Sequence, residues 1–372
     1  GNIVSTVPLP YSIIHNYHDD DNGDDDDNAN EQMNYYSSPQ PPSFQFILSD
    51  LSTHYSSSYG SLDPTQTFGA LSWLAKFHST FYQHPLVVTN NDGGGDDKKK
   101  KKKNKSEFEA VLWPNGGYWH LKTRLDELQS ISCSSRNRWS CFHPQKGQLA
   151  SIIDDRMNHN ITKTQSYTLV HGDYKKDNIL FSHDDDEDDD NGGVSSKNPT
   201  GGRRCKCAVV DFQYCGGGYG AKDIVMLIVS SVSRNTLNSM GGEDGVLSYY
   251  YQEFVKYYHL NQNQNQQEKK AKNENEKDAE SSSTLPSLES VKKQYELCLL
   301  DYVRFMAGWG FWGSNVDYAE RRAWSILQQL LSKTKTDDRN DNKKAISVEE
   351  VSKVNSSVWK EAIYNRYPLD EF

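Results

Sequence analysis

Residues 171–178 read HGDYKKDN and residues 209–213 read VVDFQ. In the first stretch Asn178 follows Asp173 with four residues between them; in the second, Asp211 closes an apolar run. TLV (168–170) leads into His171, NILF (178–181) leads away from the loop, and KCAVVDF (206–212) leads into Asp211. Short β-branched and aromatic runs bounded by turn formers predict strands. The connection 183–204 is rich in Asp, Asn and Gly. It reads as a hairpin loop enlarged by a polar insert, which puts Asn178 and Asp211 on neighbouring strands. Asp and Asn also fill turns for local reasons. The weight therefore rests on the combination: a polar loop between two apolar strands, then a strand ending on a second Asp.

Working outward, the 372 residues suffice for one large domain or two smaller ones. The net charge of −10 is concentrated in Asp-rich runs at 19–27 and 184–190, offset by a Lys run at 98–103. Such blocks repel themselves and stay solvated. Asp96 and Asp97 precede the Lys run and no aromatic residue interrupts it, so no nucleic-acid partner is expected. Segments 18–42, 91–105, 183–204, 261–285 and 335–344 are polar and of low complexity, and are read as disordered inserts that bury no core. No apolar run reaches the roughly 18 residues of a membrane span, and no signal peptide is visible. The six cysteines form no CxxC pair, which fits reduced thiols and a cytoplasmic protein.

Residues 7–17 and 44–51 are expected to form strands. Residues 65–82 place Phe68, Leu71, Leu74, Ala75, His78 and Phe81 on one helical stripe. Residues 146–157, 221–232, 248–260, 287–306 and 317–333 are also read as helices, with Ser287 as an N-cap and Gly308 as a C-terminal stop. The expected organisation is α+β: residues 1–52 form a small β portion, 53–334 a mostly helical lobe containing the hairpin, and 335–372 a polar tail with one short helix.

Phosphoryl transfer from ATP needs a carboxylate to orient and deprotonate the acceptor hydroxyl, and oxygen ligands for Mg²⁺. Protein kinases meet this need with H-R-D-x-x-x-x-N followed by D-F-G. On HGDxxxxN and DFQ, the chain resembles the aminoglycoside phosphotransferase and choline kinase superfamily, which has a protein-kinase-like fold. FILSDLS (46–52), ALSWLAKFH (70–78), GGYWH (116–120) and VVDFQYCGGGYGAKDI (209–224) are most similar to its ecdysteroid-kinase-like branch. The resemblance spans roughly residues 44–330 outside the inserts. It implies Asp173 as catalytic base and Asn178 and Asp211 as Mg²⁺ ligands. It further implies adenine contacts from the backbone at Leu48, Ser49 and Asp50 in an interlobe hinge strand. Lys175 would sit near the γ-phosphate, His171 would brace the loop and Asp223 would steady it. The implied cofactors are ATP and Mg²⁺, and the implied partner is a small-molecule alcohol. Trp309, Phe311 and Trp312, together with residues 113–120, are read either as its aromatic binding surface or as core.

The chain departs from the family's pattern before the hinge. Residues 1–75 contain no Lys or Arg, so the strand Lys that would hold the α- and β-phosphates is missing, as is the glycine-rich loop. The N-terminal β lobe therefore reads as truncated. The chain opens on Gly1 rather than Met, which fits the C-terminal part of a longer kinase; an impaired relative acting as a binding or scaffold protein is the alternative. A metal-dependent hydrolase built on His171, Asp173 and Asp211 is a third reading, weakened by the lack of HxH or HExxH.

Overall fold

The computed structural model describes the strands Ser12–His15 and Phe44–Ile47 and residues 50–58, 60–84, 112–158, 166–182, 205–271, 285–333 and 346–368. Leu48 and Ser49, and the segments 18–42, 91–105 and 183–204, lie outside the described residues. Among the described residues helices mix with three small sheets and helix predominates, which is compatible with the kinase-like expectation.

Strands β1 (Ser12–His15) and β2 (Phe44–Ile47) pair antiparallel. Strand β3 (Tyr55–Ser57) pairs with β5 (Ile179–Ser182), which pairs with β6 (Cys207–Val209), all antiparallel. Along β5, Ile179 and Phe181 are buried while Leu180 and Ser182 are half-buried, the alternation of a strand with one face on a core. Strand β4 (Thr168–Val170) pairs with β7 (Gly216–Gly218). Glycines carry no hydrophobic alternation, so nothing in the sequence marks residues 216–218 as a strand. The structure needs them as a strand: a Cβ at Gly216 would run into the Trp113 carbonyl and come within 2.8 Å of the Gly116 nitrogen.

Helix α1 (Pro64–Thr80) opens on a capping box, in which Asp63 Oδ1 accepts from the Gln66 N–H (2.8 Å) and Gln66 Oε1 accepts from the Asp63 N–H (3.3 Å), with Pro64 in the first turn. Its stripe of Phe68, Leu71, Leu74, Ala75 and His78 is buried. Helices α2 (Leu125–Ser130) and α3 (Leu149–Asn158) precede β4. Helix α4 (Ala221–Ser230) is buried along its whole length, which matches its nearly unbroken apolar sequence. Helices α5 (Arg234–Ser239), α6 (Gly242–Ala271), α7 (Leu288–Trp309) and α8 (Val316–Lys333) surround it, with α6 against α1 and both α7 and α8 against α4.

Three expectations are corrected. Residues 261–271, read as the start of a polar insert, continue α6; Gln, Glu and Lys are good helix formers and extend a helix without a core to bury. Helix α7 ends at Gly310 (φ +114°), not Gly308. Gly308 lies inside the helix because a Cβ there would collide with the Glu127 carbonyl oxygen of α2. The third correction concerns the C-terminal segment, which is no polar tail. Helices α9 (Val348–Ser352) and α10 (Ser356–Arg366) follow each other, and Trp359, Ile363 and Tyr367 are fully buried, with α10 packed on α3 and α8. Arg156 of α3 donates to the Tyr367 carbonyl, and Glu296 of α7 accepts from Arg322, Arg366 and the Tyr367 hydroxyl. Truncating a buried Trp costs about 3–5 kcal/mol, so this segment stabilises the lobe.

Candidate active site

The loop after β4 is held from beneath by one carboxylate. Asp223, fully buried in the first turn of α4, accepts from the His171 N–H on Oδ2 (2.7 Å) and from the Gly172 N–H on Oδ1 (2.9 Å). His78 Nε2 lies 3.1 Å from Oδ2, and His78 Nδ1 lies 2.8 Å from the Tyr250 hydroxyl. Burial pushes the Asp223 carboxyl up. The His78 hydrogen bond, the charges of His78 and His171 and the Gly172 N–H outweigh that and hold it below the usual carboxylate range. Gly172 sits at φ +83°, and a Cβ there would strike the Tyr214 carbonyl and approach the Gly117 nitrogen to 2.7 Å. The second position of HGD therefore has room only for glycine.

His171 links the two halves of the site. Its Nε2 lies 3.0 Å from the Val210 carbonyl, and its Nδ1 accepts from the Asp173 N–H at 3.3 Å. A carbonyl only accepts, so the proton is on Nε2 and the ring is neutral. Burial favours that form, lowering the imidazole pKa against the opposing charges of Asp223, Asp173 and Asp211. With both nitrogens engaged, His171 is not placed to ligate a metal, which counts against the hydrolase reading. Among the described residues no group of three or more His, Cys, Asp or Glu is arranged to hold a metal ion.

Asp173 is 3% exposed. Its Oδ2 accepts from Lys175 Nζ (2.7 Å) and Asn178 Nδ2 (3.1 Å), and the same amide donates to the Asp173 carbonyl (2.8 Å). Its Oδ1 is buried and has no hydrogen-bond partner. It is one of several buried side-chain polar atoms that make no hydrogen bond among the described residues. Asn178 ends a 3₁₀ turn (Lys176–Asn178), and its carbonyl accepts from the Val210 N–H at 3.0 Å. That bond extends the β5–β6 ladder by one step and sets Asn178 opposite the residue before Asp211. Asp211 is exposed and adopts φ +67°, where Asp is one of the few tolerated non-glycine residues; Gln213 Nε2 contacts its Oδ2 at 3.3 Å. The structure thus brings His171, Asp173, Lys175, Asn178, Asp211 and Asp223 into one cluster. Asp50 is exposed and accepts from the Ser52 N–H (2.9 Å), a bond that lowers its pKa.

The flanks of the cluster are aromatic. The Phe212 ring packs against His171 (centroids 4.6 Å) and against Phe77 and Trp73 of α1. The segment 113–120 lies over the loop: Trp113 Nε1 donates to the Gln213 carbonyl (2.8 Å), the Gly117 N–H to Tyr214 (3.1 Å) and the Tyr118 N–H to Gly172 (3.2 Å). Tyr118 contacts the rings of Tyr214 (5.7 Å) and Phe305 (5.3 Å). Its hydroxyl is pushed up first by burial and then by the charge of Asp173, so the ring stands close to the HGD loop. Trp309 is 54% exposed, whereas Phe311 and Trp312 are half-buried against the core. The sequence-level aromatic set therefore divides. His78 was missed, because it read only as one position of an apolar stripe.

The sequence profile of the ecdysteroid kinase-like family matches residues 21–263, more than half of the chain. No curated protein matches it. With the HGD loop anchored on Asp223 and the DFQ turn beside it, the chain belongs to the ecdysteroid kinase-like family, within the choline kinase and protein-kinase-like superfamily.

Proposed function

We propose that the chain is a Mg²⁺- and ATP-dependent phosphotransferase acting on the hydroxyl of a small-molecule alcohol. The observation that carries this reading is the placement of Asp173 in the HGDxxxxN loop beside Asp211: its Oδ2 is fixed by Asn178 and Lys175, and its Oδ1 makes no hydrogen bond among the described residues. An alcohol donating to Oδ1 would be oriented with an oxygen lone pair toward the transferring phosphoryl group. As the new O–P bond forms and the bond to ADP breaks, Asp173 takes the hydroxyl proton.

The donor set fits a hard cation. Asp211 and Asn178 offer oxygen ligands on adjoining backbone, and Mg²⁺ asks the protein for only one or two carboxylate or amide oxygens, the rest coming from water and phosphate. Bound there, it would neutralise charge on the phosphates. Lys175 is within reach of the same face. Leu48–Asp50, as a hinge, would supply backbone hydrogen bonds to adenine.

A non-catalytic binding protein is the alternative reading, in which the same loop holds a ligand without transferring a group. Calorimetric titration of ATP with and without Mg²⁺, on the parent chain and on Asp211→Asn, separates the two. Mg²⁺-dependent binding weakened in the variant is expected. Binding that ignores both the metal and the substitution would refute the assigned metal site.

A further inference from the structure

We propose that Arg124 sets the charge class of the acceptor, restricting it to uncharged or anionic alcohols; this rests on the phosphotransferase reading above. Three aromatic rings form a box around Arg124. The Arg124 guanidinium carbon lies 5.3 Å from the ring centroid of Trp309, 5.7 Å from Tyr118 and 6.0 Å from Phe305. The rings also contact each other, Tyr118 on Phe305 at 5.3 Å and Phe305 on Trp309 at 5.5 Å. Aromatic faces gathered around one cation are how proteins recognise quaternary ammonium groups. Here the protein's own side chain occupies that position.

The box belongs to the site. Tyr118 hydrogen-bonds the Gly172 carbonyl and lies within the electrostatic reach of Asp173, while Trp309 carries the surface out to solvent. Arg124 is fixed in place rather than merely resting there. Its Nε donates to the Tyr118 carbonyl at 2.7 Å, and Nη1 lies 3.4 Å from Glu127. A planar guanidinium stacked on rings and bonded at its edge is well suited to stay put. A choline-like alcohol entering toward Asp173 would find the box filled and a like charge facing it. An alcohol with an apolar or anionic body would find the exposed Trp309 ring and a positive charge.

The test reads cation binding directly, without nucleotide. Tetramethylammonium chloride is titrated calorimetrically into the intact parent chain and into Arg124→Ala and Arg124→Gln, against sodium chloride at equal ionic strength. Thermal melts confirm that each variant is folded, and Gln can keep a donor for the Tyr118 carbonyl if Ala does not fold. The parent is expected to show no saturable binding. Each folded variant is expected to gain it, tighter than the parent by roughly tenfold or more, and adding Trp309→Ala is expected to remove the gain. Tetramethylammonium binding to the parent as tight as to the variants overturns the proposal, and so does no binding to any of them. If the variants gain the cation while the parent binds no Mg²⁺-ATP, the filled box stands and the phosphotransferase reading fails.

Discussion

Asp173 and Asp223 flank the same loop and are almost equally withdrawn from water, 3% and 0% exposed. Their hydrogen bonding differs. Both Asp223 oxygens are met, by two backbone N–H groups and His78. Asp173 has one oxygen met and one orphaned. A buried carboxylate that holds a fold together is saturated, because each missing hydrogen bond costs about 1–3 kcal/mol or more. One left half-satisfied is costly unless another molecule completes it. On the phosphotransferase reading, the contrast fits architecture for Asp223 and chemistry for Asp173, and each role can be broken separately.

The largest effect is expected at Asp173. Asp173→Asn keeps the shape and an acceptor for Lys175 and Asn178 but removes the proposed base. Phosphoryl transfer should fall by about 10²–10⁴-fold, while the unfolding free energy moves by no more than about 1 kcal/mol. Steady-state turnover and denaturant melts of the same preparation decide it; a variant that unfolds but retains turnover when folded reverses the two roles.

Asp223→Ala should do the opposite. It strands two backbone N–H groups and the His78 ring in a dry interior, a loss of about 3–5 kcal/mol for a broken buried pair. The melt should collapse and any activity should follow it. The sign of the pH dependence is fixed as well. The folded carboxyl is held below its unfolded value, so its contribution is present above the unfolded pKa and is lost as acid takes the pH down through the folded one.

A third effect sits behind the site. His120 is buried, with a pKa lowered to about 4 by desolvation and then by Lys222, Lys122 and Arg304, against the pull of Asp301. Asp154, 3.5 Å from its Nδ1, is pushed up by burial. Neither shift runs the way an ion pair would drive it, so a neutral imidazole faces Asp154 at neutral pH. Between about 4 and the unfolded value near 6.5 the unfolded chain binds the extra proton, so stability rises with pH across that window. The loss on acidification should be on the order of 2 kcal/mol, because Asp154 works against it. Denaturant melts from pH 7 to 4 measure the slope, and His120→Asn should flatten it.

The loop between β4 and β5 was legible because its pattern is local. HGDxxxxN and DFQ carry their spacing in the chain, and the strands around them are short apolar runs bounded by turn residues. The supports were legible only in part. Asp223 stood in a readable motif, but His78 contributes through a contact across the fold that no periodicity reveals. Glycine residues hid their roles: Gly216–Gly218 pair as a strand and Gly308 admits α2, both through close approach rather than through turn formation. The C-terminal segment was misread because its polar composition masked Trp359, Ile363 and Tyr367, which recur every fourth residue on one helical face.

The smallest effect expected is the most discriminating for Asp173. Lys175 is its shortest partner at 2.7 Å, yet the lysine side chain is 28% exposed. An ion pair with one end in water contributes under about 1 kcal/mol, so Lys175→Met should leave the melt nearly unchanged. Asn178 would still hold Oδ2 from its fixed 3₁₀ turn. If Lys175 serves only as a counter-charge in the resting loop, KM for ATP should stay put and transfer should change little. If it leaves Asp173 for the γ-phosphate when nucleotide binds, KM for ATP should rise several-fold while the melt stays where it was. A drop in the melt with KM unmoved would make Lys175 a structural partner like those of Asp223, and would erase part of the difference between the two carboxylates.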